Sequence, residues 1–195
     1  MADQIPTPPV APADPVAASA AQDRVAAPAA QDPIGAALES RFPALTGKTV
    51  APRARRVRAL VDRAAFREVF DFACDTLDFD RLCAITGLDE KDSLAAIYAL
   101  GRADGILLSI EVRVPRDAPV LDTVTDRFPG AANYERELDD LLGFDVRGLP
   151  AGKRYPLPDD WPRDEKPLRK DWKPGGASAP AAASPAAPAA PKPGA

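Results

Sequence analysis

Proline decides where this chain can fold. Residues 1–33 hold seven prolines and residues 173–195 hold six, so 13 of the 23 prolines fall in 56 of the 195 residues. Proline fixes φ and removes a backbone donor, and the alanine-rich surroundings lack the large apolar side chains a core requires. Disordered Pro/Ala-rich tails are expected at both ends, serving as solubilising tethers or as ligands for proline-recognition modules. The folded part must lie between them, with an α/β domain over 34–148 and an extended arm over 149–172.

Within that domain, hydrophobic periodicity switches between helix and strand. A short helix is expected from Ile34 to about Arg41, ended by Pro43. Arg56–Val61 reads as a strand, and Asp62 is placed to cap a helix running to about Leu77. Phe66, Val69, Phe70, Ala73 and Leu77 recur at three- and four-residue spacing and predict one buried face.

Three strands should follow, at Arg81–Thr86, Ser93–Leu100 and Ile106–Val114. In the last, Ile106, Leu108, Ile110, Val112 and Val114 alternate with a face that becomes increasingly polar, as in a half-exposed antiparallel strand. The glycine-bounded link Gly101–Gly105 makes the last two strands a hairpin, and Pro115 stops the sheet. Thr123 or Thr125 is expected to cap a short helix ending near Pro129. Ala131–Leu142 reads as another helix, with Tyr134, Leu138, Leu141 and Leu142 on one face, Arg136 and Asp140 paired outside, and Gly143 as its stop.

The fold class is therefore α+β: a small, mainly antiparallel sheet with helices packed on it, followed by the arm. From Asp145 onward, recurrent proline argues against regular structure. Trp161, Leu168 and Trp172 supply apolar anchors there, so the arm is expected to lie along a partner's surface.

Composition narrows the chemistry. There is no histidine, and the two cysteines, Cys74 and Cys83, form no CxxC. Structural zinc, haem and iron–sulfur sites draw mainly on imidazole and thiolate ligands, so no cofactor, catalytic residue or metal ligand is expected on this chain. The cysteines read as small hydrophobes. Without histidine, the commonest general base and every Ser-His or Cys-His pair are missing. A net charge of −4 disfavours nucleic acid as main partner. No signal-like stretch or membrane-length apolar run is visible, which leads to the expectation of a soluble, cytoplasmic protein.

Several segments in register carry a resemblance. RLCAITGLDE (Arg81–Glu90) is followed by IYAL (Ile97–Leu100), VRVPRDAPVLDTVTD (Val112–Asp126) and PGAANYERELDDLLG (Pro129–Gly143). Then come GLPAGKR (Gly148–Arg154), LPDDW (Leu157–Trp161) and EKPLRKDW (Glu165–Trp172). In order and spacing they resemble the 30-kDa subunit family of NADH:quinone oxidoreductase and its homologues in energy-converting [NiFe] hydrogenases. Leu149 and Lys166 stand where that family has the histidines of two GHP motifs, and Asp139 replaces a commonly aromatic residue.

The resemblance implies an accessory subunit docked on a large catalytic subunit and a small iron–sulfur subunit, without a cofactor of its own. Iron–sulfur clusters, and nickel–iron or flavin, would sit on partners. It also implies peripheral attachment to the inner membrane through the complex. Glu135, Arg136 and Glu137 would then meet the large subunit or brace the arm. Arg154, Trp161, Pro167, Leu168, Arg169, Lys170, Asp171 and Trp172 would line the contact, the arm becoming ordered only on its partner.

Two rival readings accompany it. An independent acid/base enzyme would use Glu135 or Asp140, although a solvated or interface-facing helix side accounts for these carboxylates better. A stand-alone adaptor would act through the tails. The basic run around Arg53 and Arg55 reads as a charged sheet edge or as a membrane- or subunit-facing patch. Trp161 and Trp172, eleven residues apart on a proline-broken segment, are expected not to converge.

Overall fold

The structure, a computed structural model, describes residues 27–28 and 32–174. Apart from these positions, both expected tails lie outside the described residues. In chain order the elements are β1 (Ala27–Pro28), α1 (Pro33–Arg41), a single 3-10 turn (Pro43–Leu45), β2 (Thr49–Arg53), β3 (Arg56–Asp62) and α2 (Arg63–Asp75). There follow β4 (Arg81–Asp89), β5 (Ser93–Gly101), β6 (Leu107–Pro115), β7 (Val120–Asp122), α3 (Ala131–Leu142) and β8 (Asp145–Arg147).

Six strands form one sheet in the order β1-β2-β3-β6-β5-β4. Only β3 and β6 pair in parallel, with α2 in the connection that makes this possible; the other neighbours are antiparallel. The α+β architecture with a mainly antiparallel sheet is thus as expected. The β5–β6 hairpin is in register from Ser93↔Pro115 to Gly101↔Leu107.

Both long helices cover one face. Ile85 and Tyr98 are cross-strand partners and so share that face. Tyr98 stacks at 4.6 Å on Phe66 and meets Phe70 edge-on at 5.9 Å, both from α2. Two residues beyond Ile85, Gly87 receives α3; a Cβ there would overlap the Leu138 and Leu142 methyl groups. Leu108, Ile110, Val112 and Val114 complete this core, each fully buried apolar side chain contributing roughly 1.5–3 kcal/mol.

Several local expectations change. Leu77 lies beyond α2, and Asp62 makes no side-chain capping bond, because its carboxylate pairs with Lys48 at 3.0 Å. β6 is central rather than half-exposed: Glu111, on its polar face, is buried under Arg58 and Arg113. No helix forms at Thr123; β7 and a turn stand there, and β7 pairs in parallel with β8, which lies within the stretch expected to be irregular. The charged run around Arg53 and Arg55 forms the tip of the β2–β3 hairpin, with Arg55 left-handed at φ 61°, and β3 is an interior strand. Cys74 is half-buried, its thiol pushed by that burial up to about 11, whereas Cys83 is exposed instead of packed.

Candidate functional site

Helix α3 organises everything that follows. Ala131, Glu135, Leu138 and Leu142, three or four residues apart, form its buried stripe, so a carboxylate occupies an apolar position. Glu135 accepts hydrogen bonds from the Val124 amide at 2.7 Å and the Thr123 hydroxyl at 2.5 Å. It staples the turn after β7 beneath the helix. Burial raises its pKa above the usual carboxylate range, although the Thr123 and Val124 hydrogen bonds oppose the shift. The solvated or partner-facing role expected for Glu135 is therefore corrected, because the carboxylate is fully occupied inside its own domain.

Asp140 is buried too, with a different duty. It accepts from Arg154 Nε and, at 2.9 Å, from the Leu157 amide. Arg154, its side chain only 6% exposed, also donates to the Trp161 carbonyl at 2.5 Å. The expected outer pair of Arg136 with Asp140 does not form. Arg136 instead donates to Asn133 Oδ1 at 3.3 Å and to the Pro150 carbonyl at 3.1 Å. Glu135 and Asp140 hold separate partners and form no shared acid/base site. Glu137 is half-buried and makes no ion pair among the described residues.

Beyond β8 the arm returns over the C-terminal end of α3 and the β4–β5 turn. Gly143 ends the helix in a left-handed conformation at φ 78°, its amide bonded to the Asp139 carbonyl at 2.8 Å. The Leu141 and Leu142 carbonyls, left free by the helix end, accept the Leu168 amide at 3.1 Å and Arg169 Nε at 2.7 Å. Burial lowers the Arg169 pKa, and nearby Arg116 pushes the same way. Lys166 Nζ reaches the Asp139 carbonyl at 2.8 Å and its carboxylate at 3.5 Å. Two departures from the resembled motif, at 139 and 166, thus stand against each other.

The fastening point is Asp89, at the end of β4. One carboxylate oxygen takes the Lys91 amide at 2.8 Å and Arg116; the other takes the Lys170 amide at 2.7 Å. Arg116 continues to Asp171. Burial alone would raise the Asp89 pKa, but Arg116 and the two amides outweigh it and bring the group down to about 2. Neither Asp89 nor Arg116 was among the expected site residues. Their signal was their place inside the segments RLCAITGLDE and VRVPRDAP.

Trp161 and Trp172 do converge, with ring centroids 6.1 Å apart. Both indoles donate to Glu165, Trp161 to its carbonyl at 3.3 Å and Trp172 to its carboxylate at 3.1 Å. The arm is thus ordered on its own domain, which replaces the expectation of order gained only from a partner. The arm carries Tyr155, 47% exposed, and Leu168, 55% exposed, two of the four exposed large apolar side chains among the described residues. Pro167 is partly buried, and the Lys170 and Asp171 side chains face outward. Among the described residues no group of three or more Cys, Asp or Glu is placed to hold a metal ion, and no helix is long and apolar enough to cross a membrane.

Residues 59–178, which include most of the sheet, α3 and the arm, match the family described as the respiratory-chain NADH dehydrogenase 30 Kd subunit. The chain belongs to this family. It is 35% identical over 138 residues to the C subunit of the F420H2 dehydrogenase of Methanosarcina mazei, covering 69% of this chain and 87% of that one. The membrane-bound hydrogenase subunit beta of Pyrococcus furiosus is 44% identical over 69 residues, but this covers only 35% of this chain and 40% of that subunit. Among solved structures, a chain of the archaeal membrane-bound sulfane sulfur reductase superposes with a TM-score of 0.64 at 25% identity, covering 72% of this chain and 84% of that chain. Relatives of this 30-kDa-type chain are thus subunits of NADH dehydrogenase-like complexes and hydrogenases, which supports the role of an accessory subunit.

Proposed function

We propose that the chain is a non-catalytic, cofactor-free subunit in the peripheral part of an NADH:quinone oxidoreductase-type complex or an energy-converting hydrogenase. It docks on the large catalytic subunit beside the small iron–sulfur subunit and supports assembly and electron transfer. Those neighbours carry the redox groups and hold the chain at the cytoplasmic face of the membrane. One observation carries the docking reading: the arm is pinned to its own domain through Asp89, Asp140 and the end of α3, while Tyr155 and Leu168 remain exposed. A fastened segment loses little further conformational entropy on binding, and tyrosine is among the residues enriched at interface hot spots.

The test is gentle affinity purification of the tagged full chain from membranes, with protein identification and metal analysis, beside a Tyr155→Glu, Leu168→Glu variant. The wild type is expected to bring down a large subunit and iron, with nickel marking a hydrogenase and flavin without nickel an NADH:quinone type. The double variant is expected to lose most of that yield while folding normally. A wild-type chain that emerges alone and metal-free would overturn the proposal.

A further inference from the structure

Between α3 and the first part of the arm lies a cleft lined by Arg136, Asp139, Asp140, Lys153, Arg154 and Arg163, with Leu149, Pro150 and Tyr155 forming its apolar wall. Four cations meet two carboxylates, and both carboxylates are already engaged, Asp140 with Arg154 and Asp139 with Lys166. Arg136 is held only by neutral acceptors, an amide oxygen and a peptide carbonyl. Lys153 and Arg163 make no ion pair among the described residues. Uncompensated positive charge is thus gathered in one hollow of a chain whose net charge is −4.

Two details make this a built site. Arg154 spends Nε and one Nη on Asp140 and the Trp161 carbonyl, but its second Nη is buried without a hydrogen-bond partner. A buried guanidinium donor left unpaired is costly, so Arg154 adds unsatisfied positive charge behind the cleft wall. The Arg136 guanidinium packs closely against Gly152, where a Cβ would overlap it unless the side chain shifted. The β2–β3 hairpin tip also carries arginines, but they stand at the surface with no buried donor behind them.

We propose that this cleft is a receptor for a carboxylate side chain on an acidic segment of a neighbouring protein subunit. Arginine forks match carboxylate geometry, and the apolar wall with exposed Tyr155 suits a polypeptide better than a free inorganic anion. The identity of the neighbour rests on the docking reading above; the chemistry of the cleft does not.

The experiment titrates the isotope-labelled full chain with a capped Glu-rich hexapeptide and, separately, with inorganic phosphate, following backbone amide NMR shifts at low salt. The peptide is expected to perturb amides at Arg136, Leu149, 151–155 and Arg163, with binding weakened at least tenfold in Lys153→Gln, Arg163→Gln and less than twofold in Arg53→Gln, Arg55→Gln. Raising the salt should weaken it. Absence of those shifts, equal binding by the cleft variant, or phosphate binding as tightly as the peptide would each overturn the proposal. In the membrane purification, Lys153→Gln, Arg163→Gln should release the neighbour at lower salt than wild type. A wild-type chain that recruits no neighbour would sink the docking reading while the peptide titration still decides the cleft.

Discussion

The domain and its arm are held by different physics. Between α1 and α3, stability comes from a continuous apolar interior in which Phe66, Phe70, Tyr98 and the β6 residues are excluded from water. Between 149 and 174 no comparable core exists; the arm is fastened at a few polar points, chiefly Asp140, the free carbonyls of α3 and Asp89. Apolar burial is cooperative and insensitive to pH. A handful of ionic and hydrogen-bonded contacts can be released one at a time.

Two buried carboxylates embody the contrast. Glu135 has neutral donors and a raised pKa, so its contribution is fully present below the ordinary carboxylate range and declines as pH rises through its folded value. Asp89 has a guanidinium and two amides and a pKa brought down from 3.8 to about 2. Its contribution is present above pH about 4 and is lost as pH falls through about 2. Acid should therefore loosen the arm while making Glu135 easier to keep buried.

The largest effect is expected from Glu135→Ala, which leaves the Val124 amide unpaired, removes the carboxylate acceptor of the Thr123 hydroxyl and opens a void beneath α3. A global loss of roughly 2–4 kcal/mol should appear in chemical denaturation. A change below about 0.5 kcal/mol would mean the staple is dispensable and the contrast drawn too sharply.

Next comes Asp89→Asn. It should cost on the order of 2 kcal/mol locally, seen as loss of amide exchange protection at Leu168 and Lys170 while β5 and β6 stay protected. The same pattern is expected in the wild type as pH falls from about 4 to 2, and should be absent from the acid titration of the variant. Uniform loss of protection across arm and sheet would show that the two regions unfold as one.

The smallest effect belongs to Lys166→Met. Asp139 is 62% exposed, so the lost pair should change denaturation stability by less than about 1 kcal/mol, with part of that coming from the Asp139 carbonyl. A larger loss would place Lys166 among the main fasteners of the arm.

Much of the architecture was legible because it follows from local periodicity. The alternation along β6, the 3–4 spacing along α2 and α3, and the stop at Gly143 all state which side of an element faces apolar surroundings. The errors were of another kind. Glu135 sits in the apolar stripe of α3, where residue type says surface and helical spacing says interior; the interior prevailed because Thr123 and Val124 satisfy the carboxylate. Arg136 and Asp140 have the spacing of a helix pair, but Asp140 found a better donor in Arg154, fourteen residues away.

What the sequence determined by itself was the composition of the fold and of its chemistry: proline directed the expected core to the middle, periodicity assigned its helices and strands, and the missing histidine removed the usual ligands. Only the tertiary structure could bring Asp89 to Lys170 across 81 residues, set Trp161 against Trp172, or place Lys166 beside Asp139. Periodicity is written in neighbours along the chain, whereas the partner of a buried charge is chosen by whichever distant segment folds back to it.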